Sequence, residues 1–190
     1  MGELRRRGVH ASGSVLPLAY LLDAHLAAGI LSWERLQLLL VAGTLVAAVL
    51  EALRLTGRVE WRIFDALTRP YERDNVAGYA LYAVGMTVAG WAFPPEIGVP
   101  AMLMLTVGDP ISGLLSSGGL SKKRSVLVVM FAVCGLIALP FVRPAAALAG
   151  ALVATLADGV KPVVAGYVVD DNLTIPVGGG AAMAVVLAAL

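Results

Sequence analysis

Ile97–Leu115 reads IGVPAMLMLTVGDPISGLL, an apolar run of membrane-spanning length whose only ionisable side chain, Asp109, sits between a glycine and a proline. A carboxylate at membrane depth is expensive unless it is paired or solvated, so Asp109 is a functional candidate by default. Proline disfavours helical geometry at the residue before it, and Gly108 loosens the turn further. The expectation is a helix broken at Gly108-Asp109-Pro110. Breaks at this depth are tolerated only beside a cavity or packed protein. Asp109 is then placed to hold a magnesium ion through oxygen, with nearby amides facing phosphate. The alternative is a simple kink with a capping aspartate.

The surrounding composition agrees with a lipid solvent. Of 190 residues, 59% are hydrophobic and 14% charged, with a mean hydropathy of +0.85. Too little polar surface remains to cover a soluble globule of this size. A membrane helix needs roughly 20 apolar residues, so the chain has room for six or seven spans in a single domain, residues 1–190, and none for a sizeable soluble one. The formal charge of +1 gives no sign of nucleic-acid binding, and the lone Cys134 excludes an internal disulfide. The first apolar stretch holds Asp23 and His25 and is followed by further spans, so it reads as a span and not as a cleavable signal.

Hydropathy gives seven candidate spans: Val15–Leu31, Leu36–Leu53, Val76–Phe93, Ile97–Leu115, Val126–Val142, Ala145–Val160 and Ile175–Leu190. The fold class is therefore all-α, a polytopic transmembrane helix bundle. Val163–Val169 is too short to cross alone, and reads as an extension of span six beyond a kink at Pro162 or as a re-entrant piece. Between spans two and three, Val59, Ile63, Leu67 and Tyr71 recur every four residues among charged neighbours, the pattern of an interfacial amphipathic helix or of a solvated connector.

Basic residues mark the cytoplasmic side. With the amino terminus inside, Arg5, Arg6, Arg7, Arg54, Arg58, Arg62, Arg69, Arg73, Lys122, Lys123, Arg124 and Lys161 fall inside, and Arg35 and Arg143 outside. The expected location is thus a multi-pass protein of a prokaryotic cell membrane with its polar loops facing the cytoplasm.

Two of those loops carry chemistry. Ser116–Ser125 puts hydroxyls and flexible backbone beside Lys122, Lys123 and Arg124, a composition that suits polyphosphate, although three cations after a span also serve as a plain topology signal. The GxxxxGK[ST] spacing of a P-loop is absent. Asp158-Gly159-Val160-Lys161-Pro162 and Asp170-Asp171-Asn172 form the other group. Asp171 or Asn172 is expected to cap the last helix. Capping needs one residue, so Asp170, Asp171 and Asp158 together remain open as a second hard-metal or base site. Glu51 and Arg54 stand three apart, which fits a structural ion pair or the orientation of a polar cavity. His10 reads either as a proton-transfer or headgroup contact or as an idle interfacial residue.

These residues resemble the CTP-dependent lipid-alcohol kinases, the family of dolichol kinase, phytol kinase and a CTP-dependent diacylglycerol kinase. The likeness covers most of the chain. It rests on Arg6-Arg7 with His10, Gly13 and Pro17; on Glu51 with Arg54; on Glu72 leading into Gly78; on Gly108-Asp109-Pro110; on Lys123 and Ser125; and on Ala157-Asp158-Gly159 followed by Asp171-Asn172-Leu173-Thr174-Ile175-Pro176. The last motif is the most specific. The resemblance implies transfer of the CTP γ-phosphate to the hydroxyl of a long isoprenoid or related lipid, with Mg2+ or another divalent cation as cofactor. It implies Asp109, Asp158 and Asp171 as catalytic, with Asp109 and Asp158 on metal. Lys122, Lys123, Ser125, Lys161 and Asn172 would contact nucleotide, and His10, Glu51, Arg54 and Glu72 would support the substrate. Expected partners are the lipid substrate, CTP and the bilayer, with a homodimer left open. Phosphoryl transfer asks chiefly for positioning and charge neutralisation, so acids opposite cations are the parts required.

Two other readings compete. A lipid cytidylyltransferase also uses a Gly-Asp element and cytoplasmic cations, but its late Lys-Asp and Asp-Arg run is missing. A small ion-coupled transporter belongs to a different class, and its paired repeats of broken helices are not evident.

Overall fold

The computed structural model describes residues 2–59, 61–69, 72–116, 122–160, 163–164 and 167–190. Among the described residues the regular structure is helical apart from one hairpin of two two-residue strands. In order it runs α1 (Gly2–Ser12), α2 (Val15–Leu26), α3 (Trp33–Leu55), α4 (Arg62–Leu67), α5 (Gly78–Ala92), α6 (Pro95–Leu103), a π-helical turn (Met104–Gly108), α7 (Asp109–Leu115), α8 (Arg124–Ala138), α9 (Pro144–Gly159), β1 (Val163–Val164), β2 (Tyr167–Val168) and α10 (Asp171–Ala189). Three helical stretches are long and apolar enough to cross a membrane: Trp33–Leu55, Pro95–Leu115 and Asp171–Ala189. Helices α8 and α9 are apolar but shorter.

The segment from α6 to α7 is the axis of the bundle. Its apolar window is 72% buried inside the protein, against 17% for α3 at the periphery. Met102, Met104, Leu105, Met130, Ile175 and Met183 are fully buried around it. The expected break at Gly108-Asp109-Pro110 is not a gap in the helix. Pro110 has no N–H for the Thr106 carbonyl and its ring would crowd that oxygen, and the chain responds by widening into the π turn directly before it. The helix stays continuous, and Asp109 opens α7.

Three other expectations are modified. The first candidate span is helical only to Leu26, because Ala27 (φ 50°) and Gly29 (φ 70°) turn the chain. That turn is tied by Asp23 Oδ1, which accepts from Ile30 N at 2.8 Å, and by Arg35, which donates to the carbonyls of Gly29 and Ile30. The stretch around Val59–Tyr71 is helical for six residues only, in α4, with Glu60 and Tyr71 outside the described residues. The piece after α9 is neither a helix extension nor a re-entrant helix but the hairpin, with Val163 opposite Val168 and Val164 opposite Tyr167; Lys161 and Pro162 lie outside the described residues.

Helix α10 sits between α9 and α5, and small residues allow the approach. A Cβ at Gly150 would lie 3.1 Å from the Gly179 carbonyl, and one at Gly85 only 2.3 Å from the Asn172 carbonyl. Pro176 cannot donate to that carbonyl from within α10, so α5 approaches just where α10 leaves an oxygen without its helical partner. Polar contacts hold α3 to α5: Gln37 Nε2 donates to Gly90 O at 2.8 Å, and Thr44 donates to Ala83 O at 2.9 Å while sharing a 2.7 Å hydrogen bond with Thr87.

Gly85→Ala is therefore expected to lower stability by about 1–3 kcal/mol, the usual penalty for overpacking. Gly43→Ala, on α3 with nothing within 4 Å of the added methyl, is expected to be neutral or slightly stabilising. Thermal unfolding of both variants in detergent micelles checks this, and equal shifts would remove the Gly85 contact from the argument.

Candidate functional site

Three chain segments far apart in sequence bring carboxylates to one point. Asp109 begins α7, Asp158 lies in the last turn of α9, and Asp171 begins α10. One oxygen from each lies within 4.8 Å of the others. Asp158 and Asp171 are 1% and 2% exposed. The Gly108-Asp109-Pro110 element and the Asp158 and Asp171 segments thus meet at one point.

Lys122 reaches into it from the approach to α8. Lys122 Nζ lies 2.5 Å from Asp158 Oδ1, 2.9 Å from Ser112 Oγ and 3.6 Å from Asp109 Oδ1. Ser112 in turn donates to Asp158 Oδ2 at 2.6 Å. The Lys122 backbone N–H donates to Gly159 O at 3.2 Å, so both ends of the lysine are pinned to the end of α9. On the far side of Asp109, His10 Nδ1 stands 3.3 Å from Oδ2, with its ring edge-on to Tyr82, whose hydroxyl donates to His10 O at 3.1 Å. His10 is thus part of the site and not an idle interfacial residue. Arg7, one turn earlier on α1, lays its guanidinium over Gly113, where a Cβ would come within 3.2 Å of Nε.

Three carboxylates and the Lys122 ammonium thus gather at one point. Two unit charges 4.8 Å apart repel by about 3 kcal/mol at an effective dielectric of ~20. Hard oxygen donors converging at that spacing suit Mg2+ or Ca2+ and not a thiolate-seeking metal. Asp109, Asp158 and Asp171 are thus a group that could hold a divalent cation.

A second polar cluster adjoins the first. Glu51 receives a forked pair from Arg54 (2.9 and 2.7 Å), the Ala77 N–H at 2.7 Å and the Tyr79 hydroxyl at 2.6 Å. Arg54 also donates to the carbonyls of Glu72, Arg73 and Asn75. The pair is structural: it fastens the end of α3 to the loop that starts α5. Glu72 lies in that loop against Arg69, which also faces Asp170. Asp170, not Asp171 or Asn172, caps α10, accepting from Asn172 N at 2.9 Å. Asn172 Nδ2 faces Gly78, beside Glu72. Lys123 and Ser125 are exposed in the first turn of α8, and Lys161 is outside the described residues.

Ser112, Tyr79 and Arg69 were not singled out from the sequence. Ser112 had a usable signal, because it stands three residues after Asp109 and shares its helix face. Tyr79 and Arg69 join their clusters through tertiary contacts that no local spacing announces. No family model, curated protein or solved structure matches the chain.

Two variants should move stability in opposite directions. Arg54→Met strands a buried carboxylate and is expected to cost about 3–5 kcal/mol. Asp171→Asn relieves like-charge repulsion, so metal-free protein is expected to melt higher while losing most of the stabilisation that added Mg2+ gives wild type. Melting curves with and without Mg2+ read both effects, and an unchanged Mg2+ response in Asp171→Asn would remove that residue from the cation site.

Proposed function

We propose that this chain is a multi-pass membrane enzyme that phosphorylates the hydroxyl of a long isoprenoid alcohol, using CTP as donor, in the manner of the lipid-alcohol kinases its motifs resemble. The observation that carries the reading is the convergence of Asp109, Asp158 and Asp171 with Lys122 at the end of the bundle where Arg54, Arg69 and the start of α8 also lie. On the positive-inside argument that end faces the cytoplasm, with seven spans and the α4 segment at the interface. A nucleotide then arrives from water and a lipid hydroxyl from the bilayer.

Each residue has a part that follows from its surroundings. A divalent cation held by the three carboxylates supplies charge neutralisation for a polyphosphate and its transferred group. Lys122 is held in reach by Ser112 and Asp158, and it offers phosphate oxygens a positive charge without reorganising the loop. Asp109 is aimed by His10. The buried base of the site, with Thr106 and the core methionines beneath it, keeps bulk water on the cytoplasmic side, which limits hydrolysis of the donor.

Purified protein given γ-labelled CTP, Mg2+ and a panel of polyprenols is expected to label the lipid. CMP attached to lipid with release of pyrophosphate would make it a cytidylyltransferase, and ion flux in liposomes without nucleotide turnover a transporter. Asp109→Asn and Asp158→Asn are each expected to fold and to lower turnover by about 10²-fold or more. Wild-type rates in both would end the assignment of the site.

A further inference from the structure

Helices α2 and α3 double back on each other through the turn at residues 27–32, and an open-sided groove of about 860 Å³ runs between them. That volume falls in the ~300–1,000 Å³ range of sites for small organic ligands. Its walls are two helical stripes, Ala19, Leu22 and Leu26 on α2 and Leu38, Leu39 and Ala42 on α3, each at the three-to-four-residue spacing of one helix face. Ala19 and Ala42 are methyl-sized where longer side chains would close the gap. The joint is packed elsewhere: Tyr20 meets Trp33 edge-on with centroids 5.2 Å apart, and the Trp33 ring lies against Gly98. The leucines of the groove have no such cover, Leu22 being 58% and Leu38 63% exposed. In a bilayer an unfilled apolar groove forfeits its dispersion contacts, so a hydrocarbon chain is the occupant that suits it.

The mouth of the groove sets it apart from ordinary lipid-facing surface. Asp23 and Arg35 are its charged lining residues, and each is anchored to the turn. Asp23 Oδ1 accepts from Ile30 N at 2.8 Å, while Arg35 Nη1 donates to Ile30 O at 2.7 Å and to Gly29 O at 3.0 Å. The two side chains hold opposite ends of one residue, Ile30, rather than each other. Asp23 Oδ2 and the Arg35 Nε and Nη2 groups make no hydrogen bond among the described residues. A guanidinium offers phosphate a planar set of donors, and a carboxylate needs a partner with N–H groups, which a primary ammonium has and a quaternary one lacks. A fixed cation and a fixed anion beside an apolar groove therefore match a ligand that joins a phosphate, a primary ammonium and a hydrocarbon tail.

We propose that the groove between α2 and α3 binds one aminophospholipid of the surrounding membrane, with an acyl chain between the helices, its phosphate on Arg35 and its ammonium on Asp23. The site lies at the far end of α2 from His10 and the triad. It needs the membrane setting but not the kinase reading. The lipid completes the packing between α2 and α3 and ties its headgroup to the turn that joins them.

The test is native mass spectrometry of the full-length protein from detergent micelles, delipidated and then titrated with phosphatidylethanolamine, phosphatidylcholine or diacylglycerol of matched chains. Nucleotide and polyprenol are left out, so the result stands apart from phosphoryl transfer. Wild type is expected to take one phosphatidylethanolamine per chain, at least about tenfold tighter than either other lipid. Arg35→Gln is expected to weaken that binding about tenfold. Asp23→Asn keeps an oxygen for Ile30 N and is expected to erase the preference over phosphatidylcholine. Ala42→Phe fills the groove from the exposed face of α3 without touching the turn, and is expected to abolish retention, which keeps the question answerable if Arg35→Gln loosens the turn. Phosphatidylcholine or diacylglycerol bound as tightly as phosphatidylethanolamine, or undiminished binding in Ala42→Phe, would overturn the inference. So would a lipid-free dimer that Ala42→Phe splits, since the groove would then belong to a second copy of the chain.

Discussion

The contact between Lys122 Nζ and the Asp158 carboxylate is what makes the polar end of this bundle tenable. Asp158 is the most enclosed of the three acids, at the end of a helix built mainly of alanine, leucine and glycine. A buried carboxylate is retained only where partners replace its lost water, and here the ammonium and the Ser112 hydroxyl take both its oxygens. Lys122 comes from outside the helical rods, on the approach to α8, and its backbone N–H is bound to Gly159. One residue thus joins α7, α8 and α9 at their shared end. Remove its charge, and three carboxylates with oxygens within 4.8 Å of each other lose the cation that binds Asp158 directly.

The rest of the framework serves that end. Asp109 depends on Pro110, because the proline forces the π turn before it and so sets where α7 begins, yet the axis remains packed among methionines. Asp171 depends on α10 lying close to α5, which Gly85 and Pro176 allow by bringing backbone against backbone. Glu51 and Arg54 act at one remove: by holding the carbonyls of residues 72, 73 and 75 they fix the loop that carries Glu72 into its place. Without water to drive apolar helices together, such small-residue contacts and polar ties do much of the work of assembly in lipid.

Local chemistry was legible in the sequence where a residue's neighbours decide its state. Pro110 announced an irregular turn, the apolar runs announced helices, and charged groups in those runs announced a polar site. What the sequence hid was the pairing across distance. Asp158 could be seen as expensive, but not that Lys122 and Ser112 would cover it. The four-residue period of Val59, Ile63 and Leu67 suggested a longer helix than the six residues of α4, which ends at Leu67 with Thr68 already extended. Capping was misplaced by one residue for a similar reason: Asp170 and Asp171 are equally good caps in isolation, and the acid left over goes wherever a neighbouring element needs it.

That last point explains how one helix start serves two clusters. Side chains at successive positions of a first turn diverge by about 100°, so Asp170, Asp171 and Asn172 cannot all face one way. Asp170 caps the helix by accepting from Asn172 N, Asn172 Nδ2 faces Gly78, and Asp171, between them, meets Asp109 and Asp158. A substitution at Asp170 or Asn172 that let α10 rotate would disturb the triad without altering any of its three carboxylates.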